Sequence, residues 1–120
     1  MEFQSIPGRH LESAVSMLSQ GSLIKGDLTF DQMTRLHGRV EGKIHGLAGS
    51  VIVIGETASV HGEIAGDEII IDGFVHGDVN AKSKVTLSES GRLVGNVISP
   101  KFEIRFGAHF EGKATTAKTH

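Results

Sequence analysis

Hydrophobic and polar residues alternate along most of the chain, and glycines interrupt the alternation at intervals. The longest run places Ile69, Ile71, Val75 and Val79 on one parity, together with glycines, and mostly polar or charged residues on the other. Successive side chains of a β-strand point to opposite faces of the sheet. This alternation therefore predicts strands that bury one face and expose the other.

A short motif, apolar–x–Gly–x–apolar, recurs six times. Its central residues are Gly26, Gly42, Gly62, Gly77, Gly95 and Gly112, separated by 16, 20, 15, 18 and 17 positions. These repeats are too short for a strand–helix–strand unit, which needs about 30 residues. The segments between the motifs, such as Val51–Ile54 and Phe102–Ile104, are typical of further strands. Each repeat is therefore predicted to hold two or three short strands separated by bends.

The repeats predict a solenoid. A meander of hairpins would need recurrent Asn-Gly or Asp-Gly turns, and the one candidate, Asp72-Gly73, lies inside the longest alternating run. In a solenoid each repeat is one coil, and coils stack in register about 4.8 Å apart. The inward glycine either leaves space where walls come close or permits a bend. The uneven spacing predicts insertions at corners, above all at residues 56–59.

We expect one all-β domain, a β-helix over residues 21–114, with tails at 1–20 and 115–120. Its core should consist of the apolar residues on the inward parity. These are Ile24, Leu28, Leu36, Val40, Ile44, Val51, Val53, Val60, Ile64, Ile69, Ile71, Val75, Val79, Val85, Leu87, Leu93, Val97, Phe102 and Ile104.

Composition excludes several classes of function. The absence of cysteine excludes disulfides, thiol catalysis and cysteine-based zinc sites. A net charge of −2 without a basic run gives no footprint for nucleic acid. No Gly-rich loop precedes a helix, so no nucleotide site is expected. Without a long apolar stretch or a secretory signal pattern, the expected compartment is the cytoplasm.

Two of the seven histidines fall at equivalent outward positions of consecutive repeats. Stacking would bring His61 and His76 to roughly 5 Å from each other. A metal site needs three or four converging ligands, so we interpret them as part of an exposed polar ladder and expect neither metal nor cofactor. A modest pH effect on lateral packing through these histidines is left open.

The series of motifs resembles the bactofilins. Segments 36–44 (LHGRVEGKI) and 72–79 (DGFVHGDV) look like the double-glycine turns of that family, and the resemblance covers residues 21–114. It implies a right-handed parallel β-helix with a triangular cross-section and about six turns. It further implies a scaffold without catalytic activity, which assembles without nucleotide into non-polar filaments. Many members bind the inner membrane through an N-terminal segment, and members position cell-wall synthesis or hydrolysis enzymes and influence cell shape.

The ends of a solenoid expose unpaired backbone groups and an open core, which proteins either cap or use to add another chain. The last coil carries Phe102, Phe106 and Phe110, and the alternation directs Phe102, Ile104 and Phe106 inward. These phenylalanines either plug the channel alone or also form a polymerisation interface. At the N-terminal end, the corresponding candidates are Leu28, Phe30 and Met33.

The N-terminal segment carries one apolar stripe. Leu11, Val15 and Leu18 fall at helical spacing, and Phe3 lies near the start of the chain. Such a segment could lie on a membrane, on a neighbouring molecule or over the first coil, although Glu2 and Glu12 oppose binding to anionic lipid. A flexible tail is the alternative.

The main alternative function is enzymatic. Hexapeptide acyltransferases and γ-type carbonic anhydrases are left-handed β-helices with about 18 residues per turn. Their six-residue phasing is nearly strict, whereas the spacing here varies from 15 to 20, and their additional loops and C-terminal helix are not evident in this sequence. A carbohydrate- or ice-binding β-helix would present aromatic or threonine ladders, but the outward positions here are largely charged and Tyr and Trp are absent.

Overall fold

The computed structural model describes residues 23–31 and 33–116, which form ten β-strands and no helix. Every strand pairing is parallel, so these residues form the predicted β-solenoid. The strands are β1 (Leu23–Phe30), β2 (Met33–Gly46), β3 (Val51–Ile71), β4 (Phe74–His76), β5 (Val79–Leu87), β6 (Arg92–Val94), β7 (Val97–Ile98), β8 (Phe102–Ile104), β9 (His109–Glu111) and β10 (Ala114–Thr115).

Each coil has three sides, which we name after the last strand on each. Side A ends in β9, side B in β10 and side C in β8. The coils stack residue on residue, so that the six motif glycines share one column. Six stacked positions enclose five intervals, and the chain therefore makes about five turns rather than the predicted six. The handedness stays a prediction from the family resemblance.

The glycine column forms the corner between side A and side B. All six glycines have φ between +127° and +150°, a range that other residues rarely adopt. A Cβ on Gly62 would lie 2.8 Å from the carbonyl carbon of Gly42 in the preceding coil. The glycines therefore both permit a bend and leave space for a close approach, which are the two roles that the sequence left open. The close approach, however, is to the adjacent coil and not across the channel.

Columns of stacked apolar side chains fill the channel. One column on side A contains Ile24, Val40, Val60, Val75, Leu93 and Phe110. Most of the predicted core residues are buried, and Phe30, Ala58 and Ala81 join them. Burial of these apolar side chains from all three sides of each coil provides the main stabilisation of the fold.

The predicted parity of one strand was wrong. In residues 51–54 the inward side chains are Ile52 and Ile54, which are fully buried, and not Val51 and Val53. All four residues are apolar, so the alternation itself contains no information about which parity faces the channel. Val53 is also buried, but it lies outside the core cluster.

Insertions are confined to corners. Between the first coil and the second, three residues (55–57) oppose the single residue His37. The insertion predicted at residues 56–59 therefore lies at this corner, but it begins one residue earlier, and Ala58 and Ser59 are regularly paired. At the corner between sides B and C, the amide of Gly49 donates to Asp67 Oδ2 over 2.6 Å, and the Ser83 hydroxyl donates to Oδ1. The hydroxyl and then the amide hold the pKa of Asp67 below its usual value of 3.8. Asp67 therefore links three successive coils.

Replacement of a stacked glycine should be far more damaging than replacement of the first one. Gly62→Ala introduces both backbone strain and a collision with the preceding coil, and we expect a loss of more than about 3 kcal/mol in the free energy of unfolding. Gly26→Ala shares the positive φ, but a Cβ there would meet no atom within 4 Å. The loss at Gly26 should be about 1–2 kcal/mol. Urea denaturation followed by circular dichroism measures both, and equal losses would contradict the stacking argument.

The contribution of Asp67 should depend on pH. Because its folded-state pKa lies below the unfolded value, its stabilisation is fully present above the unfolded pKa and is lost as the pH falls through the lowered folded pKa. At pH 7, Asp67→Asn should reduce stability by about 1 kcal/mol, a figure kept small because the carboxylate is solvent-exposed. The difference from the parent should narrow below pH 4, as measured by urea denaturation. In a Ser83→Ala background, the stability loss caused by Asp67→Asn should depend less on pH. An unchanged pH dependence would contradict the assignment of the lowered pKa to the hydrogen bond from Ser83.

Candidate polymerisation interface

Within the described residues, the two ends of the solenoid are open sheet edges. Strands β8, β9 and β10 pair only with β5, β6 and β7 of the preceding coil. At the other end, β1 and the first part of β2 pair only with the second coil. A parallel strand uses alternate residues for each neighbour, so each terminal coil directs backbone polar groups away from the molecule.

The C-terminal end exposes large apolar side chains. Ile104 keeps the inward parity of Leu87, on which it stacks, but no coil among the described residues covers it and 48% of its surface is exposed. Phe106 is 99% exposed, so its predicted inward direction was wrong. The alternation stops at Ile104, where β8 ends, and a turn follows that is closed by the bond from the Ala108 amide to the Arg105 carbonyl.

The other two predicted phenylalanines lie at the mouth of the channel. Phe102 and Phe110 are half-buried against the core, and their rings meet edge to face with centroids 5.2 Å apart. They therefore plug the channel, while Ile104 and Phe106 extend the apolar surface beyond it. The alternation did not predict the exposure of Ile104, because it indicates which way a side chain points and not whether a further coil covers it.

Charges of both signs border this apolar surface. Glu103 Oε1 lies 3.0 Å from Lys84 Nζ, and its Oε2 lies 3.3 Å from Arg105 Nε. The hydrogen bond and charge of Lys84, followed by the charge of Arg105, lower the pKa of Glu103. Nearby, His109 Nε2 lies 3.6 Å from Glu111 Oε1. A surface on which both signs alternate can pair with a second copy of itself without accumulating like charge.

The candidates at the N-terminal end are placed differently. Leu28 and Phe30 are buried, and of the three predicted residues only Met33 is exposed, at 47%. Leu23 of the same coil, which the sequence analysis did not select, is also exposed, at 49%.

The lateral faces carry the predicted polar columns. His61 and His76 stack on side A with ring centroids 5.8 Å apart, and Phe74 packs against both. In the part of the chain that the structure describes, no group of three or more His, Asp or Glu side chains could hold a metal ion. The pH effect on lateral packing stays a prediction.

The predicted membrane or partner segment, with Phe3, Leu11, Val15 and Leu18, lies outside the described residues. Within residues 23–31 and 33–116, no helix is long and apolar enough to cross a membrane.

A comparison with known protein families shows which family has a solenoid of this kind. The bactofilin family model, described as polymer-forming cytoskeletal, matches residues 16–115. The chain belongs to the bactofilin family. Bactofilins are thus a structural, polymer-forming family, and this match covers the entire solenoid.

Two bactofilins of Myxococcus xanthus (strain DK1622) are similar to the chain. Bactofilin BacP is 34% identical over 91 residues, which are 76% of this chain and 37% of BacP. Bactofilin BacO is 32% identical over 99 residues, which are 82% of this chain and 77% of BacO. The chain thus spans well under half the length of BacP. No solved structure matches it.

Truncation of two phenylalanines of the last coil should reduce stability to very different extents. Phe102→Ala should lower the free energy of unfolding by about 2 kcal/mol, roughly half the value for a fully buried phenylalanine, because Phe102 packs on the core. Phe106→Ala should change it by no more than about 0.5 kcal/mol, because Phe106 touches little of its own chain. Urea denaturation at concentrations low enough to favour single chains tests this. A large loss for Phe106→Ala would mean that Phe106 belongs to the core.

Proposed function

We propose that this bactofilin polymerises through the ends of its solenoid into non-polar filaments, without nucleotide. The observation that carries the proposal is the C-terminal coil, where Ile104 and Phe106 are exposed beside strands paired on one side only. Large aromatic residues dominate the energetics of protein interfaces. A second copy would cover this apolar surface and give the edge strands a partner.

Contact between like ends accounts for a filament without polarity. In an isologous contact the same surface of both copies is buried around a two-fold axis. Two C-terminal ends would bring together the plugs formed by Phe102 and Phe110, and two N-terminal ends would meet through Met33 and, once accessible, Leu28 and Phe30. Alternation of the two contacts extends the polymer in both directions.

The polymer would act as a scaffold and not as an enzyme. As the family resemblance implies, it would lie in the cytoplasm, and at the inner face of the membrane where its N-terminal segment binds lipid. There it would position cell-wall synthesis or hydrolysis enzymes and so influence cell shape. Stacking supports a scaffold role, because polar columns such as Lys25, Glu41 and His61 recur along the axis with every copy added. A partner that binds one copy would therefore be arrayed along the filament.

An arginine at the C-terminal end should abolish filaments. In Phe106→Arg, a charge would have to be buried between two copies, so assembly should stop at dimers or monomers while the β-rich fold is retained. Phe110→Arg should act similarly. The matched control is Ile98→Arg, since Ile98 is 42% exposed on the lateral face of side B, one coil before the C-terminal end and paired on both sides by β5 and β10. Negative-stain electron microscopy without nucleotide or metal, with light scattering, measures the assemblies.

Normal filaments from both phenylalanine variants would contradict the terminal interface. Loss of filaments in Ile98→Arg alone would instead assign assembly to a lateral face. Discrete trimers of the parent chain at every concentration would contradict the filament proposal as a whole.

A further inference from the structure

The last described coil ends in a spiral step. Its three strands follow one another along the chain as β8 on side C, β9 on side A and β10 on side B. A solenoid advances by one strand spacing, about 4.8 Å, per coil. Along the solenoid axis, β9 therefore lies beyond β8 and β10 lies beyond β9. The free edges of the three strands stand at three different heights.

Symmetry limits the ways in which two such ends can meet. A contact between like ends has a two-fold axis perpendicular to the solenoid axis. This two-fold axis maps one side of the solenoid onto the same side of the second copy, exchanges the other two sides and reverses the direction of the strands. One terminal strand therefore pairs antiparallel with its own counterpart, and the other two strands pair with each other. Three arrangements of the two ends are possible.

The heights of the strands select one of the three arrangements. When β9 lies on the two-fold axis, the lowest strand, β8, meets the highest strand of the second copy, β10, and the two copies fit on all three sides. When β8 or β10 lies on the two-fold axis, the two lowest or the two highest strands meet. The gaps between the copies then differ from side to side by about 4.8 Å, a full strand spacing. Backbone hydrogen bonds, which need donor and acceptor about 2.9 Å apart, can form on all three sides only with β9 on the axis.

The inward side chains fit the same arrangement. Strand β8 contributes the large Phe102 and Ile104, whereas β10 contributes the small Ala114, which stacks on Val97. Pairing of β8 with β10 places large side chains opposite a small one, and Phe110 of β9 meets its own counterpart. Volumes matched in this way fill the channel at the junction, as close packing requires. Pairing of β8 with itself would instead crowd four large side chains together.

The corners and the outward side chains fit it as well. The corner that carries Phe106, which is 99% exposed, would meet the glycine corner of the second copy at Gly112. Because glycine has no side chain, that corner leaves space for an aromatic ring. On β9, His109 and Glu111 point outward on either side of Phe110. Antiparallel pairing centred on Phe110 places each His109 opposite a Glu111, and a cross-strand pair of a basic and an acidic residue is stabilising.

We propose that two C-terminal ends join around a two-fold axis through Phe110, with β9 antiparallel to β9 of the second copy and β8 antiparallel to its β10. This inference rests on the proposed function, in which like ends meet. The partner of the C-terminal surface is thus a second copy of the chain in one defined orientation. The described strand pairs within the chain are parallel, and the junction adds antiparallel ones.

Disulfide formation between copies tests the orientation. The chain has no cysteine, so single cysteines can be placed at outward positions of the last coil. Glu111→Cys is mixed in turn with His109→Cys, Glu103→Cys and Lys113→Cys, and each mixture is oxidised under the conditions used for filaments. A disulfide needs Cβ atoms about 3.5–4.5 Å apart. The mixture with His109→Cys therefore reports β9 on the two-fold axis, that with Glu103→Cys reports β10, and that with Lys113→Cys reports β8.

The mixture with His109→Cys should form disulfide-linked dimers at least about ten times faster than the other two, because the thiols meet there at a high local concentration. Faster linkage in either of the other mixtures would overturn the orientation and assign the two-fold axis to β10 or β8. A Phe106→Arg background should abolish linkage in the His109→Cys mixture. Linkage that persists there would also overturn the orientation, because it would not depend on the C-terminal contact.

Electron microscopy of the same mixtures separates the orientation from the proposed function. If filaments form and linkage is fastest in a different mixture, the orientation fails and the proposed function stands. If the expected dimers form without filaments, the proposed function fails and the orientation stands. Filaments without linkage in any mixture would overturn both, because like C-terminal ends would then not meet.

Discussion

Stacking of parallel coils in register is the constraint on which the rest of this structure depends. The coils approach so closely at the glycine column that a Cβ on Gly77 would lie 2.7 Å from the carbonyl carbon of Gly62. Since that spacing is fixed, every other position of the repeat is also placed over its equivalent. Variation in repeat length must therefore be absorbed at corners, as in the bulge at residues 55–57. The inward columns can then be filled with Val, Ile and Leu throughout.

The same constraint leaves the fold without a natural end. Leu87 and Ile104 are adjacent in one inward column, yet Leu87 is fully buried and Ile104 is 48% exposed. The difference comes from the absence of one more coil, and not from any property of the side chains. Addition of a second copy would provide to the last coil what every internal coil already has, namely a backbone partner and a covered channel. The proposed end-to-end polymerisation would in this sense continue the interactions that fold the chain.

The periodicity of the sequence correctly predicted which residues stack on each other. It failed to predict side-chain directions where the stacking of coils does not determine them. The glycine spacing correctly placed His61 next to His76, because a column follows directly from equal positions in the repeat. It could not choose the inward parity of Val51–Ile54, where both faces are apolar. It also continued the alternation through Phe106, although Gly107 with φ +99° already belongs to a turn. Phe30 keeps the inward parity of Leu28 and is fully buried, so the alternation holds to the end of β1.

The side chains of the lateral faces and those of the ends contribute differently to stability. Ion pairs along the outer columns, such as Lys25 with Glu41 at 4.0 Å and Lys43 with Glu63 at 3.9 Å, are largely exposed. Exposed pairs of this kind contribute at most about 1 kcal/mol each, so the fold does not depend on them. Side chains on these faces can therefore change with little loss of stability, whereas a change at an end alters the burial of the channel itself. If the chain grows through its ends as proposed, a partner that binds a lateral face would therefore leave the polymerisation surfaces unchanged.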